Sequence, residues 1–144
     1  MAGHRAVGGR SCSPATMMGA FFRFLMEEAL EEARKALLDG EVPVGAVLAD
    51  SNGLIVSKAH NQPILLHDPT AHAEILALRR AGSIYGNYRF NGATLVVTLE
   101  PCPMCMAAAV HARIAGWCSA VVIQNGARQG PFTISPATTA SITP

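Results

Sequence analysis

The run Ala93-Thr94-Leu95-Val96-Val97-Thr98-Leu99-Glu100-Pro101-Cys102-Pro103-Met104-Cys105 changes character half-way along. Ala93 to Leu99 is rich in β-branched residues, which favour a strand. Pro101 closes that strand, because proline cannot donate to a ladder. Met104 to Ile114 then predicts a helix, with Cys102 and Cys105 at its start.

Working upstream, Asp68-Pro69 reads as an N-cap followed by proline at the first helical position. The helix it opens is expected to run to about Ala81 and stop at Gly82, which puts His72 and Glu74 in or next to its first turn. Before it, Val44 to Leu48 and Leu54 to Ser57 are short strand-like runs separated by Asn52-Gly53, a strong hairpin signal. From Phe24 to Leu38, Met26, Ala29, Leu30, Ala33 and Leu37 follow helical spacing, and Gly40 ends the helix. Glu27, Glu28, Glu31 and Glu32 precede Arg34 and Lys35, which suits the helix dipole. The order helix, hairpin, helix, strand, helix is that of an α/β domain, with no internal repeat.

Thr70-Ala71-His72-Ala73-Glu74 and Glu100 to Cys105 both place polar residues at helix N-termini. Helix N-termini favour negative charge and lower thiolate pKa. One neutral imidazole and two thiolates make a neutral three-ligand shell for Zn²⁺, with the fourth position left for water, as a catalytic site requires. Zinc lowers the pKa of such a water to about 7. Glu74, two residues past His72, suits proton transfer better than ligation. Taken alone, Cys-x-x-Cys between strand and helix also describes a thiol redox site, and a single helical histidine is usually packed or solvated. Together they favour zinc. A structural zinc site needs a fourth protein ligand, for which Cys118 and His111 are the nearby candidates. Met104 and Met106 are expected in the core, and His60, His67 and His111 as surface or loop residues. Asn61, after the hairpin, fits equally a contact to a polar substrate edge or a turn-stabilising role. Arg79, Arg80 and Arg89 read as a solvated face, with phosphate contact the alternative.

The 144 residues have room for one core; half are apolar, 15% are charged and the net charge is +1. That composition excludes a disordered chain and a strongly basic surface, so any nucleic acid would be held by local patches. No apolar run approaches the roughly 20 residues that a membrane helix needs. The four cysteines, at 12, 102, 105 and 118, do not form a disulfide framework. Residues 1–20 read as a disordered leader or a mis-assigned start, with Met17, Met18 and Met26 as alternative starts and a transit peptide the weaker reading. A cytoplasmic location is the default.

Glu41-Val42-Pro43-Val44-Gly45-Ala46-Val47, His67 to Ile75, Tyr88-Arg89, Gly92-Ala93-Thr94-Leu95 and Thr98 to Cys105 together resemble the bacterial tRNA-specific adenosine deaminases, over about residues 24–115. His-x-Glu with Pro-Cys-x-x-Cys is the established signature of zinc base deaminases, these enzymes included. The resemblance implies a three-layer α-β-α cytidine-deaminase-like fold spanning 21–123. It implies hydrolysis of the wobble adenosine of a tRNA to inosine by a homodimer that grips the anticodon loop. It also implies one zinc per subunit on His72, Cys102 and Cys105, with Glu74 as proton shuttle. Asn61 matches a base-contacting asparagine, Val44 a pocket wall, and Ala73 counts among the substrate-binding residues. The alternatives are a deaminase of free guanine or cytosine, or a truncated inactive relic.

Downstream the chain departs from the pattern. Gly116 to Pro144 holds no Asp, Glu or Lys and one Arg, and Ile134 to Pro144 is Ser/Thr/Pro/Ala-rich. Val121 to Ile123 suits a strand, while 124–144 reads as an atypical tail of disordered character, leaving the fold incomplete at the C-terminus. Permitted codons for Gly116 to Pro144, read one nucleotide out of step, spell Arg-Val-Val-Phe-Gly-Cys, Asp-Pro-Lys, Ala-Ala-Gly-Ser-Leu-Tyr-Asp and Arg-Phe-Asn-His-Pro. The resembled family carries those segments in that order, so a frameshift near codon 115 is favoured over a divergent C-terminus.

Overall fold

The structure, a computed structural model, describes residues 14–120, 122–124, 127–129 and 133–136. The rest of the leader and tail, Cys12 included, lies outside the described residues. The first helix, α1, spans Pro14–Leu38 and so starts ten residues before the expected Phe24. Phe21 and Phe22 explain the extension, because they prolong the apolar face formed by Leu25, Met26 and Ala29. The residue-20 limit drawn for the leader therefore falls inside α1.

Two strands follow, β1 (Gly45–Ala49) and β2 (Ile55–His60), paired antiparallel as the Asn52-Gly53 signal implied. The connection is five residues long rather than two. The Asp50 carboxylate organises it by accepting the Asn52 and Leu54 N–H groups at 2.8 and 2.9 Å, and Gly53 takes φ +84°. A short helix, α2 (Pro63–Leu66), precedes α3 (Ala73–Tyr85). Asp68 does not cap α3; its carboxylate closes a local turn on the Thr70 N–H and Oγ, and His72 is the N-cap instead. Nor does Gly82 end α3. A mid-helix glycine is tolerated, and the chain stops at Gly86, whose φ of +61° continues no right-handed helix.

Next come β3 (Thr94–Val97), α4 (Pro103–His111) and β4 (Gly116–Ser119). The crossover through α4 makes β3 and β4 parallel. Three further strands, β5 (Val122–Gln124), β6 (Ala127–Gln129) and β7 (Thr133–Pro136), lie downstream. In the tail expected to be disordered, residues 127–129 and 133–136 are thus strands, and β7 pairs antiparallel with β4. Those pairings supply the backbone bonds that a segment without Asp, Glu or Lys gave no reason to expect. The main sheet runs β2-β1-β3-β4-β7, and β5 pairs with β6 apart from it.

Strand β1 is buried on both faces, and its side chains alternate between two cores. Ala46 and Leu48 join Leu76, Ala77, Leu95 and Val97 on the α3 side, while Val47 and Ala49 join Leu25, Ala29 and Val96 on the α1 side. The three-layer α-β-α arrangement follows. Gly45 sets how closely α1 sits on the sheet, since a Cβ there would lie 1.9 Å from the Ala29 carbonyl oxygen. Helix α4 buries only Cys105 and Ala109. Met104 is half-buried, and Met106, expected in the core, is exposed, because it lies on the face of α4 turned away from the sheet.

Candidate metal centre

Two chain reversals build the site. His72 is the N-cap of α3 and Cys102 the N-cap of α4, both with extended backbone (φ −72°, ψ 153° and φ −71°, ψ 166°). Pro103 opens α4 and turns Cys105 inward to full burial. His72 Nδ1 lies 3.6 Å from Cys102 Sγ and 3.6 Å from Cys105 Sγ, and the two sulfurs are 3.6 Å apart. Zinc bonds of about 2.0–2.3 Å in a tetrahedron separate their donor atoms by about 3.5–3.8 Å, so the triangle already has the size of a zinc ligand face. Among the described residues, these three are the one group of His, Cys, Asp or Glu with metal-holding geometry.

Burial above all, then the Glu74 carboxylate, pushes the Cys105 thiol well above its ordinary value. A bound dication reverses that, because a coordinating thiol is deprotonated. Glu74 is 3% exposed, and burial raises its carboxyl, against the lowering pull of its own backbone N–H, the Cys105 thiol and His72. A carboxyl beside the ligands, with burial resisting its ionisation, has the placement of a proton carrier.

Neither extra ligand candidate joins the group. Cys118 is buried in the core on the α1 side, where burial also raises its thiol. His111 is exposed and lines a groove of about 900 Å³ between α3 and α4, with Leu78, Tyr88 and Phe90. His67 is exposed with φ 50°. His60 departs from the expected surface role: it is buried at the end of β2 between Glu32 and Asp39. Arg79 pairs with Asp68 and Thr70, Arg80 bonds the Lys58 carbonyl, and Arg89 lies 5.1 Å over the Tyr88 ring.

Beside the metal ligands a second chain of contacts runs through Val44, Asn61 and Ala73. The Asn61 N–H donates to the Val44 carbonyl at 3.1 Å, and the Ala73 N–H donates to Asn61 Oδ1 at 2.8 Å. Val44 and Asn61 are almost fully buried, and Ala73 wholly so. With its amide spent on Asn61, Ala73 bears on the site through that side chain, whose Nδ2 donors this contact leaves free. The Ala73 contact has no local sequence signal.

The family model for the cytidine and deoxycytidylate deaminase zinc-binding region matches residues 22–125, most of the chain. The chain belongs to this family. Within the zinc-binding region that the family model matches, His72, Cys102 and Cys105 are the candidate zinc site. A tRNA-specific adenosine deaminase of Haemophilus influenzae is 49% identical over 100 residues, covering 69% of this chain and 58% of that protein. A solved structure from studies of A-to-I editing by tRNA:A34 deaminases at the wobble position of transfer RNA superposes with a TM-score of 0.64 at 47% identity, covering 66% of this chain and 72% of that one. A guanine deaminase from Bacillus subtilis superposes at 0.63 with 33% identity, covering 66% and 60%. The chain spans little more than half the length of the curated relatives it matches. No helix among its described residues is long and apolar enough to cross a membrane.

Proposed function

We propose that this chain hydrolyses adenosine to inosine at the wobble position of a tRNA, releasing ammonia. The observation that carries the deaminase reading is the zinc-sized triangle of His72, Cys102 and Cys105 with the Glu74 carboxyl beside it. The likeness to tRNA-specific adenosine deaminases supports the substrate. Zinc, when bound, supplies Lewis-acid chemistry that acidifies a water at its open position.

The chain's own residues do the rest. Glu74 accepts the proton of the attacking water as its oxygen bonds to C6 of adenine. It delivers that proton to the ring nitrogen, then takes the remaining proton of the new C6 hydroxyl and passes it to the amine as the C6–N bond breaks and the carbonyl forms. Asn61, its Oδ1 held by Ala73, offers its amide NH₂ to the base edge, and Val44 closes the pocket wall. Burial of Glu74 favours its protonated form, and a nearby dication favours the ionised one, so together they set a poise suited to both halves of the transfer. An unpaired anticodon-loop base is also cheaper to extrude than a duplex base.

The family resemblance further supports a homodimer acting in the cytoplasm on the tRNA anticodon loop, with one zinc per subunit. A second reading, deamination of a free base, is favoured by the likeness to the guanine deaminase. Ammonia release from the zinc-loaded protein, offered in parallel tRNA, guanine and cytosine, separates the two. Release from tRNA alone is expected. Release from guanine or cytosine, with tRNA untouched, would leave the mechanism standing and replace the substrate.

A further inference from the structure

His60 and Asn61 are consecutive at the end of β2, and alternation sends their side chains to opposite faces of the sheet. Asn61 faces α3 and the metal centre, where it receives the Ala73 N–H. His60 faces α1. Its Nδ1 lies 3.0 Å from Glu32 Oε2, and its Nε2 lies 3.1 Å from Asp39 Oδ2. Each of these contacts is one in which a ring N–H can donate to an accepting carboxylate. Lys35 Nζ takes the other Glu32 oxygen at 2.6 Å. The Gln62 side-chain nitrogen Nε2 lies 3.4 Å from His60 Nε2.

Packing a strand against a helix does not require such a buried polar cluster, which an apolar side chain could replace. What the cluster adds is direction. Its bonds fix the last residue of β2 from the α1 side, while the backbone bonds Asn61 N–H to Val44 O and Gln62 N–H to Ala71 O fix the next residues from the site side. We propose that His60 is a positioning residue for the deamination: held between Glu32 and Asp39, it fixes the end of β2 so that Asn61 caps Ala73 and aims its NH₂ at the substrate base. This role rests on Asn61 being the base contact proposed above. His60 itself touches neither substrate nor metal ligand.

The test is His60→Gln in the full, zinc-loaded chain, assayed on an RNA stem-loop carrying a wobble adenosine. KM is expected to rise about tenfold with kcat within about twofold, since the loss is one of base positioning. Zinc content stays at the wild-type level. Hydrogen exchange of the Ala73 amide accelerates about tenfold, whereas that of Val96, central in the sheet, is unchanged. Because the effect runs through Asn61, adding His60→Gln to Asn61→Ala brings no further loss. Unchanged Ala73 exchange and KM would overturn the role, as would a full additional loss on the Asn61→Ala background. If the wild-type protein ignores the stem-loop, the exchange measurement still decides the link between His60 and Asn61: faster Ala73 exchange supports it and unchanged exchange sinks it. Should His60→Gln fail to fold, Asp39→Ala, at a part-exposed carboxylate, must show the same pattern at smaller amplitude, and its absence overturns the role.

Discussion

Glu74 is a buried carboxyl two residues beyond a candidate zinc ligand, and the proposed roles separate holding zinc from moving protons. Glu74→Ala should keep wild-type zinc on elemental analysis yet lose at least about a hundredfold in deamination rate, the low end of what a general acid–base contributes. Cys102→Ser should instead lose the metal, because it removes one corner of the donor triangle. A variant at Glu74 that still forms inosine at the wild-type rate would remove it from the chemistry. The grouping of His72, Cys102 and Cys105 was legible because ligand type and spacing sit within two short segments, each at a helix start. The Asn61–Ala73 and His60–Glu32 contacts were not. They join residues 12 and 28 apart, and depend on how a strand end meets two different helices.

Gly45 shows what an element boundary costs to change. A Cβ there meets the Ala29 carbonyl oxygen at 1.9 Å and the Ala33 nitrogen at 2.6 Å, both backbone atoms that cannot rotate away. Gly45→Ala should therefore push α1 off β1 and cost about 1–3 kcal/mol or more, read as a lower midpoint in denaturant titration. An unchanged midpoint would mean that α1 is not seated as described. Helix and strand identities were readable from periodicity, but their ends were not. The Asp68-Pro69 pair looked like a cap, yet Asp68 spends its carboxylate on Thr70 and leaves the cap to His72. Gly82 looked like a stop, yet only Gly86 has the left-handed backbone that ends α3. Cap and stop signals are local, whereas the first amide of α3, that of Ala73, is satisfied by Asn61 from a distant strand end.

At the scale of the molecule, α1 is tied to β2 through Glu32. Burial works to raise that carboxyl, but hydrogen bonds and charge from Lys35 and His60 outweigh it and hold it below its ordinary 4.5. A folded value below the unfolded one contributes stability above pH 4.5, which is lost as pH falls through the folded value. Glu32→Gln should thus lower the melting temperature at about pH 7 and flatten its decline below about pH 4.5. Equal slopes in both proteins would count against that linkage. The tail is the other whole-molecule question. Strand β7 pairs with β4 in a segment without acidic residues, in a chain spanning little more than half its relatives' length. A version with the shifted reading frame restored after codon 115 is expected to melt higher and edit faster. Identical melting and editing would show that the present tail suffices. The central claim, that this chain turns the wobble adenosine of a tRNA into inosine, is tested most directly by sequencing cDNA from a tRNA with adenosine at that position after incubation with the zinc-loaded protein. An adenosine-to-guanosine change confined to that position is predicted; adenosine read unchanged, with about one zinc bound per chain, would contradict the claim.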